Sequence, residues 1–162
     1  MDTLNKYMDI YGQRLSEGLH VAKIAKVVKF YPETMKVDVL PMPSEDNSMI
    51  INVPVATVRS KDFLIYYPLE VDDIVVLLFV DYDTDNILLG EDSAETERGH
   101  DISDCICIGG ITLLKEKLKV ENTKALNLQN MDKTARIIIK KDGDIHVKCK
   151  HFKVEAERID LN

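Results

Sequence analysis

Residues 21–40 read Val-Ala-Lys-Ile-Ala-Lys-Val-Val-Lys-Phe-Tyr-Pro-Glu-Thr-Met-Lys-Val-Asp-Val-Leu. The first ten are β-rich and partly alternating. Tyr31-Pro32-Glu33-Thr34 is a turn, with Pro32 supplying a preset φ. Met35 to Leu40 alternates with period two, as a half-buried strand does. The stretch therefore predicts an antiparallel hairpin.

The same grammar continues downstream. A polar loop, 41–48, leads to Ile50-Ile51-Asn52-Val53-Pro54-Val55, a strand that Pro54 pushes towards an edge or a bulge. Phe63 to Tyr67 is a further short strand, and 68–73 turns into the apolar run Ile74-Val75-Val76-Leu77-Leu78-Phe79-Val80. Asp81 to Asp85 reads as a solvated acidic turn, and Ile87-Leu88-Leu89 as a segment closing the sheet. Residues 91–100 form a charged loop, and Ile102 to Ile108 is a last strand broken by Gly109-Gly110. About five short strands at this spacing predict a mainly β fold with a small closed barrel of the oligonucleotide/oligosaccharide-binding (OB) type.

Upstream, Leu4, Tyr7, Met8, Tyr11 and Leu15 fall at steps of three and four, predicting a helix over 2–17 with one apolar stripe. Asp2 or Thr3 caps its start and Gly18 its end. The stripe docks on the chain's own domain or on a neighbouring subunit; the pattern does not separate the two.

Beyond Gly110 the composition shifts. Ile111 to Leu118 reads as a short helix, and Leu126 and Leu128 are in phase for a strand. Residues 136–162 read as three or four strands, each with one apolar and one charged face. A narrow ribbon cannot bury its apolar face alone. A second and third copy around a symmetry axis is the simplest cover. The expected core of such a homotrimer is Ile137, Ile139, Ile145, Val147, Cys149, Val154, Ile159 and Leu161. Lys140, Lys148, Lys150, Glu155, Glu157 and Arg158 would face water. The expected organisation is a helix over 1–18, a barrel over 19–110, a connector over 111–133 (short helix and extended segment) and a trimeric β-helix or β-prism tip over 134–162.

Composition limits the function classes. The chain has 162 residues, enough for one ordinary domain or a domain with an appendage. Its 21 Lys and Arg against 28 Asp and Glu give a net charge of −7, which argues against nucleic acid as a partner. The seven-residue apolar run falls short of the ~20 residues of a membrane-spanning helix. The first residues carry no apolar signal core, so secretory export is not expected. Three cysteines do not make a disulfide scaffold.

The sequence carries few chemistry-bearing motifs. No nucleophile elbow, zincin helix, Walker loop or dinucleotide fingerprint occurs, and the expectation is a protein that is not an enzyme and holds no cofactor. Cys105 and Cys107 lie on one face of a strand near His100, but a second ligand pair for zinc is missing; they read as buried structural cysteines. Asp81, Asp83 and Asp85 have the spacing of a calcium loop, yet Asn86 and Asp92 stand where that loop needs Gly and Glu. His146 reads as solvent-facing and His151 as undecided in direction.

Four blocks resemble one family. Val27 to Val39 is similar to the opening hairpin of the OB-fold domain of phage baseplate central-spike proteins. Val53-Pro54-Val55, Tyr67 to Phe79 and His100 to Gly110 resemble its later blocks in the same order, together spanning about residues 20–111. Asp72 stands where the family commonly has Gly. The His-x-His pair that binds iron at the tip of some related spikes does not occur, so no metal site is carried over. The resemblance implies a homotrimeric central spike of a phage tail, a phage-tail bacteriocin or another contractile injection system. It would be synthesised in the cytoplasm and assembled at the tail tip of the particle. Its partners would be baseplate hub and tail-tube proteins, and the target cell envelope on ejection. The alternative is an OB-fold module binding oligosaccharide or single-stranded nucleic acid.

Overall fold

The computed structural model describes residues 2–160, without the side chains of residues 2–3 and 13–18. In chain order the elements are α1 (Asp2–Gly18), β1 (Ala22–Tyr31), β2 (Lys36–Pro41), β3 (Ile50–Ala56), β4 (Val58–Arg59), β5 (Leu64–Ile65), β6 (Ile74–Phe79), α2 (Asp85–Leu88), β7 (Cys105–Ile108), β8 (Leu126–Gln129), β9 (Arg136–Ile139) and β10 (Ile145–Lys148). They fall into two compact units, Met1–Thr112 and Leu113–Asn162.

The first unit is mainly β, built on a closed five-stranded barrel with strand order β1-β2-β3-β7-β6. β1 pairs antiparallel with both β2 and β6. β3 and β7 run parallel, Val55 opposite Cys107, and β6 and β7 antiparallel. The arrangement is OB-like, and closure leaves no free barrel edge.

Period-two alternation puts one side of every strand inside. The core is Ala25 and Val27 of β1, Val37 and Val39 of β2, Val53 of β3, Val75, Leu77 and Phe79 of β6, and Cys105 and Cys107 of β7, with Leu69 added from the preceding loop. Two irregularities bend the strands. The β1–β2 register shifts between Val27 and Lys29, and the β2–β3 register between Val37 and Val39. Such bulges increase local twist and help a small barrel close. Asn52 has φ 58°; its N–H donates to Asp38 Oδ1 at 2.9 Å, and the Tyr31 hydroxyl donates to Asp38 Oδ2 at 2.9 Å. The largely buried Asp38 carboxylate is thus satisfied.

Three sequence expectations are corrected. Ile87-Leu88-Leu89 does not close the sheet: Asp85–Leu88 is the single helical turn α2, because β7 already joins β3 to β6. Residues 111–118 form no helix; a turn is closed where the Glu116 N–H donates to the Leu113 carbonyl at 2.8 Å, with Leu114 fully exposed. The strand expected over 63–67 shrinks to β5 (Leu64–Ile65), paired with β4 outside the barrel; Tyr66 and Tyr67 lie beyond it, and Phe63 sits in the tight connection between β4 and β5, where the Ser60 N–H donates to its carbonyl at 2.9 Å.

α1 leaves Leu4, Tyr7, Met8 and Tyr11 exposed. The side chains of Leu15, Asp2 and Thr3 lie outside those described. The chain enters β1 through an anchored tether: the His20 ring packs on Phe79 with centroids 5.3 Å apart, and the Phe79 N–H donates to the Val21 carbonyl at 3.0 Å.

Candidate functional site

In the second unit β8, β9 and β10 form an antiparallel sheet in the order β10-β9-β8. Leu126, Ile139 and Ile145 make one row across the three strands, and Leu128, Ile137 and Val147 the next. All six side chains share one face, by the two-residue period of a strand. Their exposures run from 39 to 63%.

The opposite face is covered by its own chain. Asn127 Nδ2 donates to the carbonyls of Asn122 at 2.6 Å and Ala125 at 2.7 Å. Gln129 Nε2 donates to the Lys119 carbonyl at 2.8 Å. Glu121 pairs with Arg136 at 3.2 Å and with Lys133 at 3.7 Å. These bonds fold residues 119–125 against that side, and Ile138, at the centre of the sheet, becomes buried. The sheet therefore has one face served by the unit itself and one apolar face without cover.

Four residues expected in the trimer core, Ile137, Ile139, Ile145 and Val147, lie together on the uncovered face. Leu126 and Leu128 join them, supplied by the connector segment. The remaining expectations differ. Residues 136–160 contain two strands among the described residues, not three or four. Cys149 is exposed just past β10, and Val154 and Ile159 are exposed and outside any strand. Leu161 lies outside the described residues. The physical reason is visible at Cys149-Lys150-His151-Phe152, where the alternation slips and no turn follows to bring a fourth strand back. His146 is largely exposed and pairs across to Ile138, on the face opposite Ile145.

The strongest polar constellation lies in the barrel unit and was not expected. Arg98 Nε donates to Asp104 Oδ2 at 2.6 Å, and a terminal nitrogen donates to Asp104 Oδ1 and Asp83 Oδ1 at 3.0 Å and to Asp85 Oδ2 at 2.9 Å. Asp83 also accepts from the Asp85 and Thr96 N–H groups and the Thr96 hydroxyl. Asp104 also accepts from the Thr84 N–H and hydroxyl, both at 2.9 Å. Asp83 and Asp104 are buried, so the solvated-turn reading of Asp81 to Asp85 is corrected: its middle carboxylate is the inner half of an ion network.

The Arg98 guanidinium, with the Thr84 bonds, holds the Asp104 carboxyl down at about 2. Hydrogen bonds from the Asp85 backbone and Thr96 hold Asp83 below the usual carboxylate range. The three carboxylates lie within 4.8 Å of one another, close enough to ligate a cation. The chain's own guanidinium already bonds all three, and a planar fork suits this task better than an ammonium. The network ties the turn after β6, the loop at 96–98 and the start of β7 together.

Cys105 and Cys107 are buried in the barrel core, where burial pushes their thiols up to about 11 and about 12. Thiols so far from ionisation make poor nucleophiles.

No family model matches the chain, and no curated protein matches it significantly.

Proposed function

We propose that this chain is the central spike of a phage tail or related contractile injection particle, working as a homotrimer. The observation that carries the reading is the uncovered apolar face of the β8–β10 sheet, the surface that a threefold assembly would bury. The OB-like barrel and the four ordered sequence blocks support the same family. In this reading the barrels plug the tail tube against hub and tube proteins. The β-structured carboxy-terminal unit points at the target envelope, and the particle is where the protein resides.

The mechanism is mechanical and needs no turnover. Sheath contraction supplies force, and the spike transmits it. Resistance to unfolding under load comes from many interstrand bonds that must break together and from a dry axis lined by Ile137, Ile139, Ile145 and Val147. β9 and β10, four residues each, span ~13 Å at ~3.3 Å per residue, which suits a compact tip.

Removing residues 134–162 tests the proposal. The intact chain is expected to sediment as a trimer and the truncated chain as smaller species; an intact chain that is monomeric at micromolar concentration overturns it.

A ligand-binding OB module is the second reading, favoured by the exposed aromatic group Phe63, Tyr66 and Tyr67. Stacking platforms for single strands pair aromatics with a basic groove, and the net charge of −7 opposes this. Salt-sensitive retention of single-stranded oligonucleotides on filters would support this second reading over the first.

A further inference from the structure

The two compact units carry opposite charge. Residues 1–112 hold 9 Lys and Arg against 20 Asp and Glu, a net −11, and residues 113–162 hold 12 against 8, a net +4. Within the second unit the positive charge is concentrated. Residues 145–154, Ile-His-Val-Lys-Cys-Lys-His-Phe-Lys-Val, contain three lysines, two histidines and no carboxylate. We propose that this basic stretch, with the groove beside it, binds the phosphate groups of an anionic lipid surface. The inference deepens the spike reading: it rests on that reading for the direction in which the carboxy-terminal unit points, and it names the chemistry met there.

Strand parity places the charges together. His146 and Lys148 alternate with Ile145 and Val147, so they stand on the side of β10 away from the open apolar face. Arg136 of β9 pairs across to Lys148 on that same side. β10 is an edge strand, and the hydrogen bonds that hold residues 119–125 go to Asn127 and Gln129 of β8. An open groove of about 570 Å³ is left along β10, where Arg136, Lys140, His146 and Lys148 face one carboxylate, Glu121. Glu121 pairs with Arg136, and Asp144 with Lys140. Lys148 and Lys150 form no ion pair among the described residues, so their charge is free to meet an anion.

Apolar side chains within the basic stretch select a lipid surface. Past β10 the chain runs outside any strand, with Phe152, 67% exposed, between Lys150 and Lys153 and with Val154 exposed beside them. Aromatic rings settle at the headgroup level of a bilayer, while lysine stems lie along apolar surface and carry their ammonium groups to the phosphates. A face built only for solvation has no use for the ring. The whole-chain charge of −7 opposes a long flexible polyanion such as a nucleic acid. A flat anionic surface repels the first unit and attracts the second, which favours approach by the second. Each lysine held near such a surface strengthens binding about fivefold, and three copies on one surface would multiply the effect.

The test is co-sedimentation of the full chain with vesicles. Vesicles of phosphatidylglycerol and phosphatidylcholine in equal parts are expected to carry the protein down at low salt and to release it at high salt, where the charges are screened. Vesicles of phosphatidylcholine alone are expected to leave it in solution. Lys148→Gln with Lys150→Gln should weaken binding at least tenfold, and Phe152→Ser should weaken it too. Lys115→Gln with Lys117→Gln removes the same charge from exposed positions elsewhere in the unit and should leave binding within about twofold. Equal binding to both vesicle types, equal loss in the two double variants, or tighter binding to a single-stranded oligonucleotide than to the anionic vesicles overturns the inference. The mass of the same sample separates the two readings. A trimer that ignores anionic vesicles removes the lipid site and leaves the spike reading standing, whereas a monomer that binds them removes the spike reading and keeps the lipid site.

Discussion

Ile145 of β10 stands directly opposite Ile139 of β9, on the side of the sheet that the unit's own residues 119–125 leave open. In the proposed trimer a carboxylate there would set three like charges around one axis. Burying an unpaired charge is far more costly than losing an apolar contact. Ile145→Asp is expected to cost the assembly at least about 3 kcal/mol, seen as dissociation in sedimentation velocity. The melting of the barrel, a separate compact unit, should be unchanged. Val147→Asp should behave alike, and His146→Asp, on the other face, should leave the trimer intact.

Asp104 makes stability depend on acid. Its carboxyl sits at about 2 when folded against an ordinary value of 3.8. A depressed folded pKa stabilises at pH values above the unfolded one, and that contribution is lost as pH falls from about 4 to about 2. Asp104→Asn is expected to lower stability at pH 7 by about 2 kcal/mol, through its lost charge-assisted bonds to Arg98. It should also flatten the acid limb between pH 4 and 2. Urea midpoints across that range check both.

Leu77 is fully buried at the barrel centre. Leu77→Ala is expected to cost about 3 kcal/mol through lost transfer energy and the cavity left behind. Leu89→Ala, at an exposed position after α2, should change stability by less than about 0.5 kcal/mol. Chemical denaturation of the two variants separates core from surface.

Asp72 has φ 74°, the left-handed region that favours glycine. Its N–H donates to the Val27 carbonyl at 2.9 Å, a bond glycine would keep, and its ion pair with Lys26 at 3.3 Å is exposed. Exposed pairs contribute little. Asp72→Gly is therefore expected to stabilise the barrel by about 0.5–1 kcal/mol, read as a higher denaturation midpoint.

Much of the barrel was legible because its strands are two-sided or fully buried. The hairpin over 21–40 and the run from Ile74 declare themselves through alternation and β-branched content. The errors cluster where local pattern is silent. Ile87-Leu88-Leu89 is three apolar residues long, too short for its period to distinguish strand from helix. Arg98 sits in a charged loop, and its partners Asp83 and Asp104 are 15 and 6 residues away; only the closed fold brings them together. The face formed by Ile137, Ile139, Ile145 and Val147 followed from period two. The contribution of Leu126 and Leu128 depended on a register across two turns, which alternation within one strand does not specify. Val154 alternates with Ala156 without a partner strand, and a strand needs one.

The central claim is that the open face of β8, β9 and β10 is closed by two further copies of the chain. Sedimentation equilibrium on the intact protein tests it most directly, over concentrations from high nanomolar to tens of micromolar. A single species of three times the chain mass, lost in Ile145→Asp, is the expected result. A single species of one chain mass throughout would contradict the claim.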